Sequence, residues 1–250
     1  AAASSADPAA SADRVWASLF NGRDLAGWIN VNGGANTWTV RDGMIVCSGH
    51  PTGVLRTERM YENYVLEMEF RHLHAGGNSG LFICGDALPA RGQPFTRAIE
   101  VQVMDGAEGD WYTSDGDIFP IHGASMTPEN PRPKGRSRAF PTEKRMKPAP
   151  EWNHYRVEVN NGDVSLAVNG KVVTRGHAVR PRKGYICLES EGSEVHFRNL
   201  RIHELGPGNP APTSEETARA DEGFRSLFGG DFTGWKCEPA HEGHWTAEDW

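Results

Sequence analysis

Short alternating segments separated by tight-turn residues are the feature that most constrains the fold of this chain. The phrase TWTVRDGMIVCSG places two such segments on either side of Asp42-Gly43, and LAVNGKVV does the same around Asn169-Gly170. Asp-Gly and Asn-Gly favour two-residue hairpin turns, because such turns need residues that tolerate a positive φ. Successive side chains of a strand point to opposite faces, so the alternation also implies one buried and one exposed face. The pattern predicts antiparallel strands.

The same alternation predicts further strands along the chain. In Tyr64–Phe70 it sets Val65, Glu67 and Glu69 on one face, opposite four apolar or aromatic side chains. Other strands are expected at Gly80–Cys84, Ala98–Met104, Asn153–Asn160, Val164–Val168, Lys171–Thr174, Gly184–Glu189 and Val195–Glu204. No long amphipathic helical pattern is present, and with 29 glycines and 16 prolines the composition favours an all-β fold.

Between Asp105 and Pro150 the alternation of apolar and polar residues fades, and the sequence becomes rich in glycine, proline, arginine and lysine. A long irregular stretch inside a compact domain usually carries function. We expect this stretch to form one wall of a site.

Four segments are expected along the chain. Residues 1–15 form an Ala/Ser/Pro-rich tether of the kind that follows signal cleavage, which favours an exported protein, periplasmic or extracellular. Residues 16–205 hold the strands, and residues 206–225 have the Pro-, Gly- and acid-rich composition of a linker. Residues 226–250 repeat the text that begins at Ser18, with one deletion and the same spacing between tryptophans. This fragment predicts the truncated start of a second domain copy, or a piece that packs on a neighbouring chain in a homo-oligomer.

Charge and hydropathy narrow the classes of partner. The formal net charge of −7 and pI near 5.8 give no basic footprint for nucleic acid or anionic lipid. No apolar stretch is long enough to span a membrane, and the mean hydropathy is −0.57. A neutral, hydroxyl-rich ligand such as a carbohydrate fits better. The cysteines lack C-x-x-C spacing, so buried free thiols or a single disulfide are expected at Cys47, Cys84, Cys187 and Cys237.

Polar residues gather on the strand Ala98–Met104. Glu100 and Gln102 share the face opposite the strand's apolar side chains, and Asp105 follows where the strand ends. At a rise of about 3.3 Å per residue, Glu100 and Asp105 would lie about 16 Å apart at Cα, too far for a retaining glycosidase pair without a bulge. An exposed strand carboxylate paired with an arginine is the alternative for Glu100.

Eight phrases in order resemble the 3-keto-disaccharide hydrolase domain family: LFNGRDLAGW, WTVRDGMIVCSG, LRTERMYENYVLEMEFR, GGNSGLFICG, IEVQVMD, EWNHYRVEV, LAVNGKVV and GYICLESEGSEVHFRNLRIHEL. The resemblance runs from about Ser18 to Leu205. It implies a two-sheet, concanavalin-like jelly-roll sandwich with the ligand on the concave sheet, and cleavage of glycosides oxidised at the third sugar carbon. The chain departs from the family at Cys84, where arginine is usual, and at Glu189–Gly192, where Gln-Asp-His-Gly is usual.

The implied chemistry suggests roles for several residues. A 3-keto group acidifies the C2 hydrogen, so one general base can start elimination of the leaving group, after which water adds back. Glu100 is the candidate base, His122 the candidate acid, and Asp105 belongs to the same matched phrase. The candidates for substrate binding are Asn78, Gln102, Arg71, Glu189 and, by stacking on a pyranose ring, Trp111. The alternatives are a loop histidine without a role at His122 and a tight turn around Asn78.

A cation site and two rival functions stay open at this point. Asp105, Asp110, Asp115 and Asp117 crowd a Gly-rich stretch that could hold Ca²⁺ or another divalent cation, although a solvated acidic loop explains them equally. Since one fold serves many functions, a non-catalytic carbohydrate-binding module or a surface-interaction domain competes with a hydrolase or lyase acting on 3-keto glycosides. The matched phrases favour the enzyme.

Overall fold

The computed structural model describes residues 15–106, 114–133 and 136–206, together with residues 223, 231–236, 238–239 and 245 of the C-terminal part. The chain divides into two compact units, Ala1–Gly208 and Asn209–Trp250. Asp110 and Trp111 lie outside the described residues, as do most of the tether, the linker and the repeated fragment. The tether, the linker and the second domain copy stay predictions.

Two antiparallel sheets make up the first unit. In its described part the strands are β1 (Ala17–Ser18), β2 (Trp28–Val31), β3 (Trp38–Arg41), β4 (Met44–Cys47), β5 (Gly53–Thr57), β6 (Tyr64–His72), β7 (Asn78–Gly85), β8 (Ala98–Met104), β9 (Ile118–Ile121), β10 (Ser125–Pro128), β11 (Asn153–Asn160), β12 (Asp163–Val168), β13 (Lys171–Arg180), β14 (Tyr185–Ser190) and β15 (Val195–Glu204). One sheet has nine strands in the order β10-β13-β12-β11-β6-β15-β4-β3, with β1 also paired to β15. The other has six strands in the order β2-β5-β14-β7-β8-β9.

The two predicted hairpins are confirmed. β3 and β4 pair through Trp38 and Cys47 around a turn in which Asp42 and Gly43 both have positive φ, 50° and 72°. The turn between β12 and β13 likewise has φ of 47° at Asn169 and 87° at Gly170. The strands predicted at Ala98–Met104, Asn153–Asn160 and Val195–Glu204 have these same bounds in the structure.

The stretch between Asp105 and Pro150 contains more regular structure than its sequence suggests. It contains β9 and β10, which pair with β8 and β13. Each is only four residues long and contains a proline, and both features weaken the signal from which a strand is predicted. The prediction of an irregular stretch is wrong at these two places.

A single apolar layer fills the space between the sheets. From the six-stranded sheet, Ile99, Val101 and Val103 enter this layer fully buried. From the nine-stranded sheet, Tyr64, Leu66, Met68 and Phe70 do the same, which confirms the core face predicted for β6. The opposite face was predicted to be exposed, and this is wrong at Val65 and Glu67, which are 0% and 8% exposed. Burying one such side chain stabilises the fold by roughly 1.5–3 kcal/mol. The fold is an all-β, two-sheet jelly-roll sandwich.

The outer face of the six-stranded sheet is partly covered. A second apolar cluster, formed by Val31, Val54, Phe82, Ala98 and Cys187, lies there with Phe95, Ile121 and Tyr185 packed against it. Glu100 and Gln102, which alternate with the core residues of β8, point to this same outer face.

Three of the cysteines, Cys47, Cys84 and Cys187, are buried free thiols; Cys237 lies outside the described residues. Among the residues that the structure describes, no helix has the length and apolar character needed to cross a membrane.

One hydrogen bond ties the two sheets together at the candidate strand. Tyr155 on β11 is fully buried, and its hydroxyl donates to the backbone oxygen of Gln102 on β8 over 2.7 Å. Burial also raises the pKa of Tyr155 well above its ordinary value, so the hydroxyl stays protonated and able to donate. The bond helps to fix the position of β8 in one sheet relative to β11 in the other.

Tyr155→Phe is expected to lower the free energy of unfolding by about 1–2 kcal/mol, because it removes the donor to a buried carbonyl. Tyr64→Phe is the matched control: its hydroxyl is equally buried and has no hydrogen-bond partner among the described residues, so its removal should be neutral or stabilising. Urea unfolding of both variants measures the difference. Equal losses would show that the bond to Gln102 contributes nothing.

Candidate functional site

Three neighbouring strands bring two carboxylates together on the outer face of the six-stranded sheet. β7 lies between β14 and β8, and Gly80 of β7 lies opposite Gln102 of β8. A Cβ atom placed on Gly80 would lie 2.9 Å from Oε1 of Glu100 and 2.9 Å from Oε2 of Glu189. The two oxygens therefore lie within about twice that distance of each other, over a position where only glycine leaves room.

An amide chain links this carboxylate pair to a third glutamate. Gln102 Nε2 donates to Asn78 Oδ1 over 2.6 Å, and Asn78 Nδ2 donates to Glu191 Oε2. The backbone NH of Asn78 also donates to Ser193 Oγ over 2.8 Å. Asn78 begins β7 rather than a tight turn, so the turn alternative does not hold. Asn78 and Glu191 are only half-buried, and they mark the side from which solvent approaches the cluster.

Burial dominates the electrostatics of the cluster. Glu100 is 6% exposed and Glu189 is 1% exposed, and Oε2 of Glu189 has no hydrogen-bond partner among the described residues. Burial raises the pKa of Glu100 well above its ordinary value, and the charge of Glu191 adds to this rise. Burial likewise raises the pKa of Glu189, reinforced by Glu100 and Glu191. Two buried carboxyls this close cannot both ionise easily, so the pair keeps its protons to a higher pH than ordinary glutamates do.

A half-buried arginine partly offsets this negative charge. Arg138 Nη1 donates to Asp117 Oδ2 over 3.2 Å, and its guanidinium lies 3.3 Å from the ring centre of Phe119. Its charge lowers the pKa of Glu100, against the larger effect of burial. Arg138 follows β10, so the stretch between Asp105 and Pro150 contributes a charge to the cluster.

Asp105 has a different environment from the one that the sequence suggested. It is 8% exposed, and its carboxylate accepts from the backbone NH groups of Gly76 over 3.2 Å and Ala149 over 3.1 Å. These bonds tie two loops to the end of β8. Asp105 therefore holds backbone in place at the edge of the cluster.

His122 and Arg71 are not brought to the carboxylate pair. His122 lies in an exposed turn that follows Ile121, the cross-strand partner of Ala98, and its backbone φ is 50°. Arg71 lies on β6 of the other sheet, next to the core residue Phe70, and points to that sheet's outer face. Trp111 lies outside the described residues, so its predicted stacking stays a prediction.

The acidic residues proposed for a divalent cation have other partners. Asp115 accepts from the backbone NH of Gly106 over 3.1 Å and lies 3.8 Å from Lys144 Nζ, while Asp117 binds Arg138. Within residues 15–106, 114–133 and 136–206, no group of three or more His, Cys, Asp and Glu side chains is arranged to hold a metal ion. The arrangement of these aspartates gives a cation site no support.

Sequence reasoning missed three members of the cluster: Gly80, Glu191 and Arg138. The alternation of β14 offered a signal, because Ile186 and Leu188 enter the core and Glu189 must then face outward. The short spacing from Glu189 to Glu191 could have suggested a second carboxylate beyond the strand end. For Arg138, the local sequence contains no comparable signal.

Comparison with known proteins supports the family resemblance seen in the sequence. The family described as "3-keto-alpha-glucoside-1,2-lyase-like domain" matches residues 15–203. A 3-keto-disaccharide hydrolase of Bacteroides thetaiotaomicron is 22% identical, over 75% of this chain and 77% of that protein. A protein of Parabacteroides distasonis, provisionally named a glycosyl hydrolase, is 26% identical with a TM-score of 0.59, over 76% of this chain and 94% of that one. A second structure from that organism, 22% identical with a TM-score of 0.56, covers 76% of this chain and 100% of its own, and it shares the fold.

Glu189→Gln is expected to stabilise the protein near pH 7. The folded pair keeps protons that the unfolded chain releases above the ordinary glutamate pKa of 4.5, so the free energy of unfolding falls as pH rises beyond that value. A glutamine removes the group that must ionise, and its amide can donate to Glu100. The variant should gain about 1 kcal/mol or more near pH 7 and nothing at about pH 4.

Denaturant unfolding across this pH range measures the effect. Glu204→Gln is the control, because the hydrogen bond from Arg59 lowers the pKa of Glu204 and the sign of its pH dependence is opposite. Parallel pH profiles for wild type and Glu189→Gln would show that the pair holds no extra proton.

Proposed function

This chain belongs to the 3-keto-alpha-glucoside-1,2-lyase-like domain family, and from that premise we propose that it cleaves the glycosidic bond of 3-keto glycosides, as a hydrolase or lyase. The observation that carries the proposal is the pair of buried carboxyls over Gly80, joined through Gln102 and Asn78 to Glu191. A 3-keto-disaccharide hydrolase and a protein provisionally named a glycosyl hydrolase are among its relatives.

Glu100 is the proposed general base. A base that removes the hydrogen next to a ketone works best when its pKa lies near the working pH. Burial, and to a smaller extent the charge of Glu191, raises the pKa of Glu100 in that direction. Because burial favours the neutral form of Glu189, Glu100 is the member of the pair that can ionise and accept a proton. Glu100 is the more accessible of the two, at 6% exposed against 1%.

The reaction proceeds in two balanced steps. In the first, the ionised Glu100 takes the proton from C2, the C1–O bond breaks, and a general acid protonates the departing oxygen, which leaves a C1–C2 double bond conjugated with the ketone. In the second, water adds across that bond: hydroxide joins C1, a proton returns to C2, and the acid is reprotonated. Without the second step the enzyme is a lyase, and with it the net change is hydrolysis.

Glu191 is the proposed general acid. It lies on the more open side of the cluster, and burial raises its pKa above the ordinary value, which favours the protonated form that an acid must have. His122, the earlier candidate, is exposed in a turn beyond the strand end. Asn78 and Gln102 are proposed to hold the sugar hydroxyls or the developing enolate, since their amides present both donors and acceptors.

A carbohydrate-binding module without chemistry is the second candidate. The observation in its favour is the depth of the pair: a carboxyl that is 1% exposed, such as Glu189, has little room for a substrate atom. In that case the glutamates would orient Asn78 and Glu191 toward a bound sugar without exchanging protons with it.

Glu100→Gln is expected to lower the turnover of a 3-keto disaccharide by at least about 100-fold while leaving binding intact, because the amide cannot accept the C2 proton. NMR detection of the released 3-keto monosaccharide measures the rate. In D₂O the hydrolysed product should carry more deuterium at C2 than the free 3-keto monosaccharide gains on its own over the same time, as elimination followed by hydration requires.

Two variants serve as controls. Glu158→Gln changes a half-buried carboxylate on β11 of the other sheet, and His122→Ala removes the exposed histidine; both should keep near wild-type turnover. An active Glu100→Gln variant would remove Glu100 as the base. Tight binding of an unmodified glycan, with no turnover of the 3-keto substrate, would favour the binding module.

A further inference from the structure

A pocket lies on the outer face of the nine-stranded sheet, the face that points away from the carboxylate pair. Its volume is about 590 Å³, within the range of small-molecule sites. The side chains that matter for its chemistry are Trp16, Ser18, Glu67, Glu69, His154 and Arg201. We refer to it as the Trp16 pocket.

The floor of the Trp16 pocket is a fixed carboxylate. Glu67 lies in the middle of the sheet, in register with Arg156 on one neighbouring strand and Arg201 on the other. Glu67 Oε1 accepts from Arg156 Nη1 over 2.8 Å, and Oε2 accepts from Arg201 Nε over 2.8 Å. Burial raises the pKa of Glu67, but the hydrogen bonds from the two arginines outweigh it and lower the pKa overall. The floor is therefore ionised and rigid before any ligand arrives.

The indole of Trp16 provides an aromatic wall. The residue Trp16 immediately precedes β1, whose residues Ala17 and Ser18 pair with Ile202 and Arg201 of β15. The guanidinium of Arg201 lies 4.6 Å from the ring centre, and that of Arg156 lies 5.9 Å away. Strand pairing and cation–π contact thus hold a half-buried aromatic ring beside the polar floor.

Donors and acceptors remain accessible around the pocket. Glu69 accepts from Arg198 Nε over 2.6 Å at one oxygen, and its side chain is 26% exposed. The side chain of His154 is 38% exposed and that of Arg201 is 52% exposed. Glutamates and arginines interleave here, so neither an anion nor a cation meets a surface of uniform opposite charge.

These features specify a class of ligand. A pyranose has a flat face of C–H groups that stacks on an aromatic ring, and hydroxyls that both donate to carboxylates and accept from arginine. It is also uncharged, which suits the balanced charges of the floor. We propose that the Trp16 pocket is a second carbohydrate-binding site, for neutral oligosaccharides, on the opposite side of the sandwich from the carboxylate pair. The proposal does not depend on the catalytic function.

The test uses the full 250-residue chain and four probes: maltopentaose, cellopentaose, laminaripentaose and xylopentaose. Isothermal titration calorimetry should detect binding of at least one of them. Trp16→Ala should weaken that binding roughly tenfold or more, with partial recovery in Trp16→Phe, because only the aromatic variant keeps a stacking surface. Glu69→Gln should weaken it as well, whereas Glu158→Gln, on the same sheet face but outside the pocket lining, should not.

Asn78→Ala separates the two sites, because it removes an amide proposed to hold sugar hydroxyls at the carboxylate pair. Binding that survives Asn78→Ala but is lost in Trp16→Ala supports the proposal, provided that thermal melts show the variants to be folded. Binding lost in Asn78→Ala would belong to the other face and would overturn it. So would failure of all four probes to bind the wild type, or wild-type affinity in both Trp16→Ala and Glu69→Gln.

Discussion

The packing of two sheets through one apolar layer is the constraint on which every other feature of this domain depends. Because Ile99, Val101 and Val103 must enter that layer, the residues between them are turned to the outer face. Glu100 and Gln102 are therefore brought to the cluster by the burial of their neighbours. The same logic acts on β6, where the burial of Leu66 and the other apolar residues turns glutamates and an arginine outward.

The carboxyls on the two outer faces have pKa shifts of opposite sign. On the nine-stranded sheet, hydrogen bonds from Arg156 and Arg201 keep Glu67 ionised, despite the cost of burying it. On the six-stranded sheet, Glu100 and Glu189 face each other over a glycine, and burial favours their neutral forms. The first arrangement suits a rigid, permanently charged surface. The second suits groups that exchange protons near neutral pH.

Sequence reasoning predicted the fold better than it predicted the site. Alternation and turn residues depend on local chemistry, so β8, β11 and β15 were predicted with the bounds that the structure has. The partner of Glu100 could not be predicted in this way, because Glu189 reaches it only through the order of β14, β7 and β8 in the sheet. Searching for a second carboxylate along the same strand pointed instead to Asp105, which binds backbone amides.

The location of the two proposed sugar sites on opposite outer faces determines how the domain would bind a polysaccharide. A sugar in the Trp16 pocket and a sugar at the carboxylate pair would be separated by the full thickness of the sandwich, so one short oligosaccharide could not occupy both. Two separate glycan strands could, and the domain would then act as a crosslink between them. Alternatively, a long flexible strand held at one face would raise the local concentration of its own ends at the other.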